Sequence, residues 1–128
     1  MSRIVGFDGI GMGSYLTFSQ GATGFTRGTH ENWPCKMSAN GAVSRAASTD
    51  IFSGIVRSID PKGDVVAVQE DGFVTLPYSS TAPTVGYVVL KADGSGGVAV
   101  DSSPSVGDMY YLVVSVDTSA TTVTFELD

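Results

Sequence analysis

An all-β fold, a small β-barrel or β-sandwich carrying an extended Gly-rich N-terminal arm, is what this 128-residue sequence predicts. Three observations carry the prediction. Seven or eight short runs rich in Val, Ile, Thr and aromatic residues are each closed by Gly, Pro, Asn or Asp, the pattern of strands and tight turns. The last run, 122–127, alternates Thr122, Thr124 and Glu126 with Val123, Phe125 and Leu127, so one face is wet and the other buried. No stretch holds apolar residues at helical spacing, and charged residues are only 16% of the chain, too few for several solvated helices.

Residues 1–30 form the expected arm. They hold seven of the 16 glycines, interleaved with Ile4, Phe7, Ile10, Tyr15, Leu16, Phe18 and Phe25. A Gly/Ser linker would lack the aromatic residues, and a strand pair would not need so many glycines. Ordering so much backbone costs more than burying four aromatic rings returns, so 1–28 are expected to stay loose until a partner surface pairs with them. Trp33 completes the set of apolar anchors.

From His30 the texture changes, and one compact domain is expected over 31–128. Residues 33–39 read as a strand with Pro34 at an edge, Asn40-Gly41 as a turn, and 42–49, small and polar, as a loop. Residues 51–59 read as a strand in which Gly54 allows a bulge or a close contact, and Asp60-Pro61-Lys62-Gly63 as a turn. At the centre, Val65–Val68 and Phe73–Leu76 flank Asp71-Gly72, a strong hairpin signal. Beyond a loop at 78–83 come a strand at 85–91, a turn at 93–97, a short strand at 98–100, a loop at 102–106 and a long strand at 109–116.

Charge and cysteine count exclude several classes. The formal charge is −6, and residues 1–62 hold six of the seven Lys and Arg but four of the thirteen acids, so the second half is strongly acidic and repels nucleic acid and anionic lipid. Cys35 stands alone, which rules out an internal disulfide and a Cys-based zinc site. The glycines of the first 14 residues break the apolar run a signal peptide needs, and no run reaches membrane-spanning length. The expectation is a protein that stays where it is made, with no membrane partner.

No motif for chemistry survives its context. Gly9-Ile10-Gly11-Met12-Gly13-Ser14 has the look of a dinucleotide loop, but Gly21 and Gly24 interrupt the helix such a loop must open. His30 and Cys35 are the one conceivable Cys-His pair, without an orienting group. Glu70, Asp71, Asp93, Asp101 and Asp108 fall mostly in turns and lack the dense spacing of a calcium loop. Trp33, Tyr78, Tyr110 and Tyr111 would suit a sugar platform, although packing is the commoner use. The chain is therefore expected to be no enzyme and to need no metal or cofactor.

Residues 46–127 do carry a resemblance. Asp50-Ile51-Phe52-Ser53-Gly54-Ile55-Val56, a turn, Val65 to Val68, Gly72-Phe73-Val74-Thr75-Leu76-Pro77, Val85-Gly86 and Gly107-Asp108-Met109-Tyr110-Tyr111 follow one another in an order that resembles the head decoration, or capsid cement, proteins of tailed bacteriophages. Tyr87 follows Gly86 where an Asp is common. The resemblance implies a β-tulip-like domain and a homo-oligomer, a trimer in preference to a dimer. Its partner is then the major capsid protein on the outside of an expanded head, met during assembly in the host cytoplasm. Phe7, Tyr15, Phe18, Phe25 and Trp33 are the expected contacts, and a tail or adsorption module that binds carbohydrate is the alternative.

Overall fold

The computed structural model describes residues 15–21 and 23–127. Alternation in the sequence becomes alternation in space: Val123 and Phe125 of the last strand are fully buried and Thr122, Thr124 and Glu126 are not. Ten strands form among the described residues, and they close two barrels rather than one. The first contains β1 (Tyr15–Gln20), β2 (Pro34–Ala39), β3 (Ala42–Arg45), β4 (Gly54–Ile59) and β5 (Val65–Gln69). The second contains β6 (Phe73–Ser79), β7 (Gly86–Ala92), β8 (Val98–Val100), β9 (Tyr110–Asp117) and β10 (Thr122–Glu126). The described residues form no helix.

Three expectations change. The segment 42–49 is not all loop, because Ala42–Arg45 pairs with both β1 and β2. The expected central hairpin does not form: β5 is bonded to β1 and β4, β6 to β10 and β8, and Asp71-Gly72 is the crossing between barrels. Gly72 makes the crossing in the left-handed region (φ +86°), as the hairpin reading required, but both edges of each flanking strand are already taken. Third, the arm's second half belongs to the first barrel. Tyr15 to Ser19 pair antiparallel with Val65 to Gln69, and Ser19 and Gln20 pair parallel with Ala42 and Val43. That backbone pairing adds to the aromatic burial and fixes the segment. Residues 1–14 lie outside the described residues.

The two barrels have one topology. In each, the first strand runs parallel to the third and antiparallel to the fifth, the second pairs with the third and fourth, and the fourth with the fifth. Register repeats as well. Ile59 opposite Val66, Ser58 opposite Ala67 and Val56 opposite Val68 reappear as Val116 opposite Val123, Ser115 opposite Thr124 and Val113 opposite Phe125. The bulge that skips Arg57 reappears at Val114. Lys36 opposite Ser44 reappears as Lys91 opposite Ala99, and each lysine reaches an aspartate in the loop between third and fourth strands, Asp50 at 2.6 Å in one and Asp101 at 2.8 Å in the other. The chain is thus an internal repeat of a five-stranded unit.

Two apolar clusters fill the barrels, and one of them crosses the seam. Phe25, Cys35, Val43, Val56, Ile59, Val66 and Val68 fill the first. The second gathers Val74, Leu76, Leu90, Val98, Tyr111, Val113, Val123 and Phe125 together with Ala46, Phe52 and Ile55 from the first half of the chain. Phe52 stacks on Tyr111 (centroids 5.0 Å, interplanar 3°), and the Tyr111 hydroxyl donates to the Phe52 carbonyl. Alongside, the Thr49 amide donates to the Ala92 carbonyl and the Ala92 amide to the Asp50 carbonyl.

Candidate protein-binding surface

The outer face of β7 and β9 follows from their register. Tyr111 stands opposite Val88 and points inward, so Tyr110, opposite Val89, and Tyr87, opposite Leu112, point to the other face, where Val89 itself is covered. Tyr87 and Tyr110 are diagonal neighbours on that face, within reach of one another's rings. They remain 74% and 58% exposed, and Val85, just before β7, is exposed too.

A separate groove lies at the seam of the barrels, on the side of β9 that Tyr111 faces. Met37 and Ile51 from the first half and Met109, Tyr111 and Leu127 from the second line a cavity of about 540 Å³, together with Phe52, Ser53, Lys36 and Glu70. Met37, Ile51 and Met109 are each more than two-fifths exposed. Methionine is unbranched and polarisable and adapts to the shape of a partner surface. These residues are an apolar surface spanning both halves of the repeat, and it escaped sequence reasoning because strand periodicity does not say which outward residues a neighbouring barrel leaves uncovered.

Three of the expected anchors, Phe18, Phe25 and Trp33, meet at the core of the first barrel rather than on an open surface. Phe7 lies outside the described residues. Tyr15 contributes backbone to β1. Phe18 is half-buried against the first barrel's core, and Phe25 is inside it at 5% exposure. Trp33 packs against the same cluster, edge-on to His30 (centroids 4.6 Å, 82°). Phe25 therefore has no ring surface to offer a partner. The four residues of the sugar platform do not share a surface either, since Tyr78 and Tyr111 are buried in the second core while Trp33 serves the first.

The titratable residues do structural work where they stand. His30 Nδ1 accepts from the Thr26 amide and Nε2 faces Arg45, so neither nitrogen addresses Cys35. Cys35 is fully buried and its thiol is pushed up to about 12, first by burial and then by the Glu70 charge. Asp93 accepts from the Ser79 hydroxyl and from the Ser95 and Gly97 amides, closing the β7–β8 turn. Asp101 and Asp108 both pair with Lys91, whose pKa they raise, Asp101 the more. Among the described residues no group of three His, Cys, Asp or Glu is placed to hold a metal ion, and no helix is long and apolar enough to cross a membrane.

An all-β chain of two like barrels with an apolar surface across their seam is the class these features define. Compared with known proteins, the chain matches no family model, no curated protein and no solved structure.

Proposed function

We propose that the protein is a structural binding module of a tailed-phage head, attached to the outside of the expanded shell and reinforcing it, as its sequence resemblance implies. The observation that supports this most is the exposed pair Tyr87 and Tyr110 on the outer face of β7 and β9, with the groove of Met37, Ile51 and Met109 as a second apolar surface. Single exposed apolar residues are ordinary, but a pair of exposed tyrosines on one sheet face and a methionine-lined groove have the composition of protein interfaces. An overall charge of −6 suits a particle exterior and disfavours DNA as partner. Self-association into a trimer belongs to the same reading, and sedimentation equilibrium tests it.

The test of attachment is co-sedimentation with undecorated expanded heads of the virus that encodes the protein. A Tyr87→Ser/Tyr110→Ser double variant should lose occupancy at least about tenfold, as expected for aromatic hot spots. A variant lacking residues 1–14 separates the contribution of Phe7 without removing β1 or Phe25 from the first barrel. Wild-type protein that leaves the heads undecorated, and their heat resistance unchanged, overturns the function; full occupancy by the double variant moves attachment off the tyrosine face.

A further inference from the structure

One small cavity between the barrels is lined by an arginine without an acidic partner among the described residues. It measures about 230 Å³ and is lined by Thr23, Trp33, Lys36, Arg45, Ala46, Ala47 and Gly94. Lys36 is neutralised there by Asp50, 2.6 Å away. Arg45 is not: among the described residues no carboxylate lies within ion-pair distance of it, and its buried Nε–H has no hydrogen-bond partner. Its guanidinium lies 5.9 Å from the centre of the Trp33 ring.

The neighbour of Arg45 makes the shortage sharper. The Thr26 amide donates to His30 Nδ1 at 2.7 Å, so that nitrogen carries the lone pair and the single proton of the neutral ring sits on Nε2. Nε2 is 3.3 Å from Arg45 Nη1, which is also a donor. Two N–H groups therefore face each other beside a third that is unpaired. An imidazolium would place another proton on Nδ1, against the Thr26 amide, and burial together with the Arg45 charge disfavours it. What the arrangement lacks is an acceptor that carries negative charge.

We propose that this cavity is an oxyanion site, in which Arg45 supplies the charge and the planar fork and the Trp33 face the wall that orients the guanidinium, while His30, behind Arg45, offers it no acceptor. Its ligand is a single carboxylate or phosphate group. The volume falls below that of pockets for drug-sized ligands, so the group enters alone, as a free anion or as the tip of an acidic side chain. Arg is suited to such groups because its donors match two adjacent oxygens.

The experiment is a titration of the ¹⁵N-labelled full chain with sodium phosphate in one arm and sodium acetate in the other, following arginine Nε–H and tryptophan indole resonances. A saturable shift of Arg45 and Trp33 that the exposed Arg27 does not share is expected in at least one arm. Phosphate alone indicates a free phosphate ligand, and acetate alone a protein carboxylate. Arg45→Gln should abolish saturation; if that variant fails to fold, Arg45→Lys, which keeps the charge and loses the fork, should weaken the affinity at least tenfold. Shifts that rise linearly in both arms and match those of Arg27 overturn the site.

Discussion

Gln69 shows how much of the architecture one side chain can hold. It is fully buried at the end of β5, accepts from Arg57 Nε at 2.7 Å, and donates to the Asp71 and Phe73 carbonyls at 2.8 and 3.2 Å, so it fastens the first barrel to the crossing. Gln69→Ala removes all three bonds and should cost about 2–4 kcal/mol in urea unfolding, and Gln69→Leu, which fills the space, should recover only part of that. Asp93 gives a pH dependence whose sign is fixed. Burial raises its pKa, but the Ser79 hydroxyl and the Ser95 and Gly97 amides outweigh burial and leave it below its ordinary 3.8. A depressed folded pKa means that the stabilisation is whole above 3.8 and is lost as pH falls from there through the folded value. Unfolding midpoints should therefore drop below about pH 4, and Asp93→Asn should flatten that part of the profile. Neither residue's role was legible beforehand. Asp93 was placed correctly in a turn by its local sequence, but Gln69 in VVAVQEDG reads as an ordinary strand end, and only the fold reveals that it is enclosed.

At the scale of elements, legibility followed the range of the interaction. The Asp60–Gly63 turn, the 93–97 turn and the alternating β10 are decided by neighbours within a few residues, and all three stand where the sequence put them. The Asp71-Gly72 hairpin failed because strand pairing is not local: β5 joins β1 and β4, while β6 joins β10 and β8. A barrel leaves no free edge, so the tightest turn in the sequence became a connection. The repeat was open to detection through Ser58-Ile59-Asp60 and Ser115-Val116-Asp117, which end equivalent strands, yet so little identity surrounds them that register was needed to see it. Gly54 is the element-scale test. The sequence allowed it a bulge or a close contact; the bulge sits at Arg57, and the close contact is real, since a Cβ on Gly54 would lie 2.6 Å from Val68 Cγ1 and 2.7 Å from the Gln69 carbonyl oxygen. Gly54→Ala should force β4 away from β5 and cost about 2–3 kcal/mol, comparable to overpacking a core. A thermal midpoint equal to wild type would show that the strands part there without penalty.

The whole molecule poses the question of whether two like barrels behave as two domains. Their topology says that each could close on itself, but the packing does not divide with the topology. Ala46, Phe52 and Ile55, carried by the loop and strand that follow β3, lie in the second barrel's core, where Phe52 meets both Tyr111 and Phe125. Splitting the barrels would expose the Phe52 ring, break the Tyr111 hydroxyl bond and take Ala46, Phe52 and Ile55 out of the second core, so the second barrel does not keep its core alone. One cooperative transition is therefore expected, and the chain offers a reporter on each side of the seam. Trp33, the only tryptophan, reports the first barrel, and Tyr111, whose phenol is held up to about 12 by burial, reports the second through its release into the ordinary tyrosine range on unfolding. Tryptophan fluorescence and tyrosine ionisation at about pH 10.5 should give the same urea midpoint. Phe52→Ala, expected to cost about 3–5 kcal/mol by the size of its cavity, should shift both reporters together. If it lowers the tyrosine midpoint and leaves the tryptophan midpoint in place, the barrels are energetically separate and the seam is only a contact between them.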